Sequence, residues 1–449
     1  MGRLRIAHLQ LMVPFVVIAW RAGLAFGDNS FLWHVRAGSV QLDTTSVLTT
    51  DPFSFTALGE PWRTQSWLAE LGYAWLEDMT GGIEWVPIMK FVVISITVSL
   101  VGIAIHRAGG RRPGVTLAGL LLLVWQAVVF AVSRPSLLGF TLLAMVIAIA
   151  HTNRRPLWVL PPLFWLWASV HGMFVVGLGY LFLDAMRRRS RRQVIAVAVS
   201  GLATGLTAHG LAAWGILIDF FENQDALDLM EEWKPPDFSN PFVLPLLLII
   251  IGVIVAATLG RVEPRDLWIV IPFVTFGLLA GRNIWPAAMV LAPIAARVFD
   301  RDAQEGRAPP QTEAFVLNWG IAAVLVAAAA IGVIRPVELR EDRFPSRAAV
   351  AALQPGPQFN GTAVGGYLIY QSYPERPVFI DDRAELYGYE GISQFHDVRS
   401  GVGVEEVFAE YGIRQAIMSA DWPLIEYLEL LGWEYRYEDE FFTVMAQTP

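Results

Sequence analysis

Eleven apolar stretches fill the first three quarters of the chain and limit its fold more than any other feature. They lie near residues 9–26, 85–105, 114–132, 136–151, 157–170, 172–185, 194–209, 242–260, 266–281, 284–298 and 314–334. About 20 apolar residues let a helix cross the hydrocarbon core. Only 16% of the 449 residues are charged and 55% are hydrophobic, where a soluble domain carries roughly a quarter charged residues. The expectation is an all-α polytopic membrane domain of about eleven transmembrane helices over 1–334, followed by a small α/β domain over 335–449. Ala25-Phe26-Gly27 resembles a signal-peptidase site, but Arg21 interrupts the first apolar run and ten more follow. The first segment is therefore read as a retained helix.

Composition also excludes chemistry. A net charge of −8 lacks the basic footprint that nucleic acid requires. Without cysteine there is no disulfide, thiolate metal site or cysteine nucleophile. No Walker loop, dinucleotide fingerprint, zinc-ligand spacing or serine elbow occurs.

Orientation follows from arginine, which accumulates in short cytoplasmic loops. Clusters occur at Arg3/Arg5, Arg107/Arg111/Arg112, Arg154/Arg155, Arg187 to Arg192, Arg261/Arg265 and Arg297/Arg301/Arg307. All fall on one side if 157–185 is two short helices bent at Trp167-Ala-Ser-Val-His171-Gly172. The N-terminus is then cytoplasmic. The 27–84 loop, the 209–241 loop and the tail domain are extracytoplasmic. Residues 211–221 suit an interfacial helix, and the polar linker Arg301–Glu313 introduces the last helix, which reads as a tether for the tail domain.

The stretch Gly27–Glu70 stands apart from this apolar background. It gathers Asp28, His34, Arg36, Asp43, Asp51, Arg63 and Glu70 among Trp33, Phe53, Phe55, Trp62 and Trp67. Ionisable groups beside a membrane core are costly unless solvated, paired or used. In the tail, 347–353, 404–411 and 422–431 read as helices. Residues 365–370 and 377–381 read as buried strands, and 435–437 with 441–445 as a terminal hairpin.

Several motifs run through the whole chain. They are Asp28, Trp33-His34, Gly38, Asp51-Pro52-Phe53-Ser54, Trp67-Leu68-Ala69-Glu70, Arg134-Pro135, Trp167, His171-Gly172, Glu232-Trp233, Gly365 to Leu368 and Asp381-Asp382-Arg383. Together they resemble a group of mostly uncharacterised bacterial multi-span proteins that is similar to the GT-C superfamily of membrane glycosyltransferases. The resemblance implies a GT-C-like fold with a large first external loop. It also implies sugar transfer, with inversion, from a polyprenyl-phosphate-linked donor to an extracytoplasmic glycan, lipid or protein acceptor. Membrane lipids are the other expected partner. No cofactor is implied: many GT-C enzymes carry an acidic pair where Asp28 stands alone before Asn29, so a divalent metal is not indicated.

On this reading Asp28 is the base that takes the acceptor proton, with Glu70 and His34 as further catalytic candidates. Arg36, Asp51, Arg63, Arg134, His171, Glu232 and Arg282 are candidates for substrate binding. Arg134 and Arg282 suit a leaving phosphate, because a guanidinium forks onto phosphoryl oxygens. Plainer readings stand beside these. Asp28 suits the N-cap of a helix starting at Ser30, Asp51 a turn, and Glu70 a pair with Arg63. Arg134, Arg282 and Lys90 suit snorkelling to head groups, His171 a packing bend, and Asp381 to Arg383 an ion pair. The rival functions are a non-catalytic scaffold that binds lipid-linked glycan and a transporter for the same lipids.

Overall fold

A computed structural model describes residues 4–109, 112–152, 156–215, 231–299 and 315–447. Most of the expected interfacial helix over 211–221, the whole 301–313 linker, and Arg111, Arg154 and Arg155 lie outside the described residues. The chain forms two compact units. One comprises Met1–Leu24, Ile83–Ala213 and Met230–Val337; the other includes Ala25–Gly82 and Glu338–Pro449. The loop after the first helix and the C-terminal residues therefore share a unit.

The first unit is helical. Val86–Ala108, Pro113–Phe130 and Val316–Val333 are each long and apolar enough to cross a membrane. Ile6–Ala22, Ser136–Ala150, Leu157–Val170 and Leu244–Thr258 are apolar but shorter. The expectation of eleven spans is thus corrected to three helices that meet the length criterion among the described residues. Rise sets the limit: at 1.5 Å per residue a 15-residue helix covers about 22 Å, short of the roughly 30 Å core. The missing length is lost where regular helix stops. Leu160–Val170 ends at His171, whose φ of −167° is extended, and the next helix is Phe174–Arg188. The bend read from Trp167 to Gly172 is therefore a true break. Small residues let helices touch: a Cβ on Gly23 would come within 1.9 Å of the Gly332 carbonyl oxygen.

Part of the arginine pattern used for orientation is engaged in ion pairs. Arg187 pairs with Asp184 and, at 2.8 Å, with Asp266. Arg188 reaches Asp184 at 2.9 Å, and Arg297 reaches Asp266 at 2.5 Å.

In the second unit, strands β1 (Phe359–Asn360), β2 (Gln415–Ser419), β3 (Trp433–Glu438) and β4 (Phe442–Gln447) form a sheet in the order β1-β2-β4-β3. β1 is parallel to β2, and the other pairings are antiparallel. The β3–β4 pair is the hairpin read from the sequence. Phe359, Phe379, Phe395, Phe408, Trp422 and Leu424 pack in the core, beside helices Ala384–Arg399, Val404–Tyr411 and Leu424–Leu430.

Two expected strands are corrected. Residues 365–370 lie inside a helix, Thr362–Ser372. Short apolar runs buried on every side carry no period that separates strand from helix. The glycines serve close approach instead. A Cβ on Gly365 would meet the Ile380 carbonyl oxygen at 2.3 Å, and one on Gly366 the Asn29 carbonyl oxygen at 2.4 Å. Residues 377–381 lie outside the sheet, with a bend at Phe379 and an isolated parallel bridge, Ser54 to Val378. The Asn360 side chain supplies the missing ladder: it accepts from the Phe379 amide at 2.8 Å and donates to the Ile380 carbonyl at 2.7 Å.

Candidate functional site

Two helices carry most of the loop candidates, Asn29–Thr44 and Trp67–Thr80. They cross at Gly38, where a Cβ would sit 2.0 Å from the Glu70 carbonyl oxygen and 2.9 Å from the Ala74 Cβ. His34, Gly38 and Gln41 recur at helical spacing on one face. The crossing therefore sets Glu70 between His34 and Gln41. Its carboxylate meets His34 Nδ1 at 2.8 Å, accepts from Gln41 Nε2 at 2.7 Å, and accepts from the Thr64 hydroxyl. Glu70 is fully buried, and three polar contacts are what an interior carboxylate requires. The expected pair with Arg63 is corrected: Arg63 is exposed, and Glu70 is served by the facing helix and Thr64.

Asp28 occupies the N-cap of the first of these helices, half-buried, and its carboxylate makes no capping bond. One turn on, Phe31 packs on Tyr73 at 5.1 Å between ring centroids and on Phe26 at 5.5 Å. Tyr73 was not singled out from sequence, although it follows Glu70 by three residues on the buried face of its helix. Burial, then the charges of Asp28 and Glu70, push its hydroxyl pKa well above the ordinary tyrosine value. Tyr73 therefore stays a neutral hydroxyl within the electrostatic reach of both acids.

Asp51 is wholly buried in the turn that its sequence suggested. It accepts from the amides of Phe53 at 3.1 Å and Ser54 at 2.9 Å and from the Ser54 hydroxyl at 2.5 Å. It also receives Arg383 Nη1 at 2.8 Å. Arg383 forks onto Asp381 at 2.8 and 2.6 Å, and Tyr387 donates to the same carboxylate at 2.8 Å. The guanidinium lies 4.5 Å from the Trp62 ring centroid, 5.4 Å from Phe53 and 5.6 Å from Trp33. Burial opposes its charge, but Asp381, Tyr387 and Asp51 outweigh that and hold its pKa well above the usual range. Asp382 accepts from the Ser30 hydroxyl and from Trp33 Nε1 at 2.8 Å. Arg36 donates to the Tyr370 carbonyl at 2.6 Å. These contacts join 28–70 to 360–387 within one unit.

In the other unit, Glu232 faces Arg282 Nη1 at 3.3 Å with one oxygen and Arg134 Nη1 at 3.8 Å with the other. The Arg282 guanidinium lies 4.3 Å over the Trp233 ring. The Gly281 amide donates to the Lys234 carbonyl at 2.8 Å, pinning the two turns together. Three substrate-binding candidates from the sequence, Arg134, Glu232 and Arg282, thus meet. His171 lies at the helix break, where its Nδ1 accepts from the Met173 amide at 3.1 Å, which leaves the neutral ring's proton on Nε2. Among the described residues, no group of three or more histidine, aspartate or glutamate side chains is arranged to hold a metal ion.

No family model matches the chain, and no curated protein matches it in sequence. Its fold does match a solved structure, the crystal structure of the Archaeoglobus fulgidus oligosaccharyltransferase tethered with an acceptor peptide containing the NVT sequon via a disulfide bond. The TM-score is 0.58 over 98% of this chain and 74% of that one, at 10% sequence identity. The fold is GT-C-like. At such identity the likeness speaks for the GT-C-like fold alone.

Proposed function

We propose that this protein is a membrane glycosyltransferase that moves a sugar from a polyprenyl-phosphate donor to an extracytoplasmic acceptor. The observation that carries the reading is the GT-C-like fold, matched over 98% of the chain. The acceptor peptide tethered to the archaeal neighbour supports an acceptor-binding role, and the apolar helices support a membrane setting.

The chemistry is a single displacement. The acceptor oxygen attacks the anomeric carbon opposite the phosphate, the carbon–phosphate-oxygen bond breaks, and the phosphate leaves with the bonding electrons, inverting the configuration. A base takes the acceptor proton, and fixed positive charge receives the phosphate. Asp28 is assigned as the base. Its carboxylate is half-buried and does no capping, and Tyr73 is a neutral hydroxyl near it. In the helical unit, Arg134 and Arg282 are kept as separate candidates for binding phosphate. Glu70 orients His34 through Nδ1 rather than acting as a second acid, and Asp51 holds the loop through Arg383.

One observation favours a second reading, a non-catalytic scaffold for lipid-linked glycan: Glu70, Asp51 and Asp381 are all saturated by structural donors.

The test is an assay of purified protein in liposomes with radiolabelled polyprenyl-phosphate sugars and a crude envelope acceptor, wild type against Asp28→Asn. The reading expects transfer by the wild type and a loss of about a hundredfold or more in the variant, of the size general-base removal produces. Equal transfer by both would remove Asp28 from the chemistry. Lipid binding without turnover would replace the transferase with the scaffold.

A further inference from the structure

The crossing of helices Asn29–Thr44 and Trp67–Thr80 leaves one group that packing does not consume, the outer nitrogen of His34. Glu70 is fully buried and accepts from Gln41 at 2.7 Å and from the Thr64 hydroxyl, both neutral donors. With donors on both oxygens it acts as an acceptor, the role of an ionised carboxylate. A buried charge needs a partner of opposite sign. Among the described residues His34 is the one ion-pair partner of Glu70, at 2.8 Å through Nδ1. The pair is balanced when the imidazole carries its second proton, on Nε2. Trp33 fixes the ring a second time: its own ring lies 3.6 Å from the imidazole between centroids, and its Nε1 is tied to Asp382 at 2.8 Å. Nε2 makes no hydrogen bond to protein among the described residues, and the side chain keeps 11% exposure. An oriented N–H is thus left for a ligand.

Its place along the chain suits the displacement. Asp28 lies six residues earlier, roughly 9 Å along a helix axis at about 1.5 Å per residue. Two hydrogen bonds of about 2.8 Å and a near-attack distance of about 3–3.5 Å put roughly the same length between a base and a donor on the leaving side. The arginines of this stretch are placed otherwise: Arg36 donates to the Tyr370 carbonyl, and Arg63 is exposed.

We infer that His34, held as an imidazolium by Glu70, donates from Nε2 to the phosphate that leaves the sugar. The inference rests on the transferase reading and supplies a phosphate-side group in the unit that carries Asp28. The acceptor oxygen bonds to the anomeric carbon, the bond from that carbon to the phosphate oxygen breaks, and its electron pair stays on phosphate. The acceptor proton goes to Asp28, and the His34 proton stays on Nε2. A phosphodiester monoanion thereby becomes a monoester that carries a further negative charge. The Nε2–H bond therefore strengthens as the sugar departs, and only interactions that strengthen toward the transition state speed the step.

Two amides separate this role from a structural one, in purified full-length protein in liposomes. His34→Asn sets its amide nitrogen where Nδ1 stood, which keeps the bond to Glu70 and removes the outer N–H. His34→Gln sets its nitrogen near Nε2 and gives up the bond to Glu70. With a radiolabelled polyprenyl-phosphate sugar, His34→Asn is expected to lose about a hundredfold in kcat, as removal of one oxyanion donor does, with donor KM within about threefold. His34→Gln should lose less. Vesicles carrying polyprenyl monophosphate, the product, should bind His34→Asn about tenfold more weakly than wild type, while those carrying the sugar phosphodiester change little. His34→Gln, which lacks the charge, should show the same selectivity to a smaller degree, so each variant tests the inference if the other fails a thermal-unfolding check. Wild-type kcat in His34→Asn would overturn the inference and leave the transferase standing. So would unchanged monophosphate binding by both variants. Activity in His34→Asn beside none in His34→Gln would assign His34 to structure alone. If the wild type transfers no sugar, the transferase reading falls, and the binding arm decides: selective loss of monophosphate affinity supports the phosphate contact, and unchanged affinity overturns it.

Discussion

Replacing Arg383 by methionine is the sharpest test of how the second unit is held. The side chain is fully buried, bonds Asp51 and Asp381, and lies against three aromatic rings. Methionine fills comparable space and keeps the ring contacts, but it leaves two buried carboxylates without their cation. Removing one partner of a buried pair costs about 3–5 kcal/mol, because the remaining charge is stranded. At roughly 2–4 °C per kcal/mol for a unit of this size, the melting temperature should fall by about 6–20 °C. Trp33 and Trp62 flank the guanidinium, so tryptophan fluorescence during thermal unfolding of the full-length protein reads the event directly. Arg383→Lys should recover only part of the loss, since an ammonium cannot fork onto Asp381 while reaching Asp51. Pairing Asp381→Asn with Arg383→Met should cost less than the two changes added together, since the stranded charge is shared. A drop under about 2 °C, or strict additivity, would refute the buried-network account.

Two further outcomes follow from the loop helices. Gly38→Ala drives a methyl into the Glu70 carbonyl, so the helices must part; a loss of about 1–3 kcal/mol is expected, seen as a lower unfolding midpoint in denaturant. Tyr73→Phe bears on alkaline pH. The folded-state pKa is raised above the unfolded value near 10, so this contribution is whole below pH 10 and is lost as pH rises beyond it. The variant should flatten the decline of stability above pH 10 and leave stability near neutrality little changed, measured by unfolding midpoints across that range.

Features carried by neighbouring residues were legible in the sequence. The break at His171, the Asp51 turn, the terminal hairpin and the Asp381–Arg383 ion pair each depend on a few consecutive positions whose chemistry is local. The helix over Thr362–Ser372 was not legible, because a helix buried all round shows no amphipathic period. Nor was the partner of Glu70: Arg63 is nearer in sequence, but Gly38 decides the matter by letting the facing helix bring His34 and Gln41 within reach. The contacts of Arg383 with Asp51 and of Asp382 with Trp33 join residues that no spacing rule connects. The arginine clusters were readable as positive charge, but not as charge already spent on Asp184 and Asp266.

The junction of Asp51 with Arg383 also has a temporal side. The two are 332 residues apart, and at about 5–20 residues per second the ribosome needs roughly 15 to 70 seconds to pass from one to the other. Through that interval the early loop exists without the cation that its buried aspartate requires and without the acceptor for Ser30 and Trp33. It can dock only after nearly all the rest of the chain has been made. The C-terminal segment therefore acts as the last part fitted, and a nascent chain halted before it would expose a loop that chaperones and proteases are equipped to recognise.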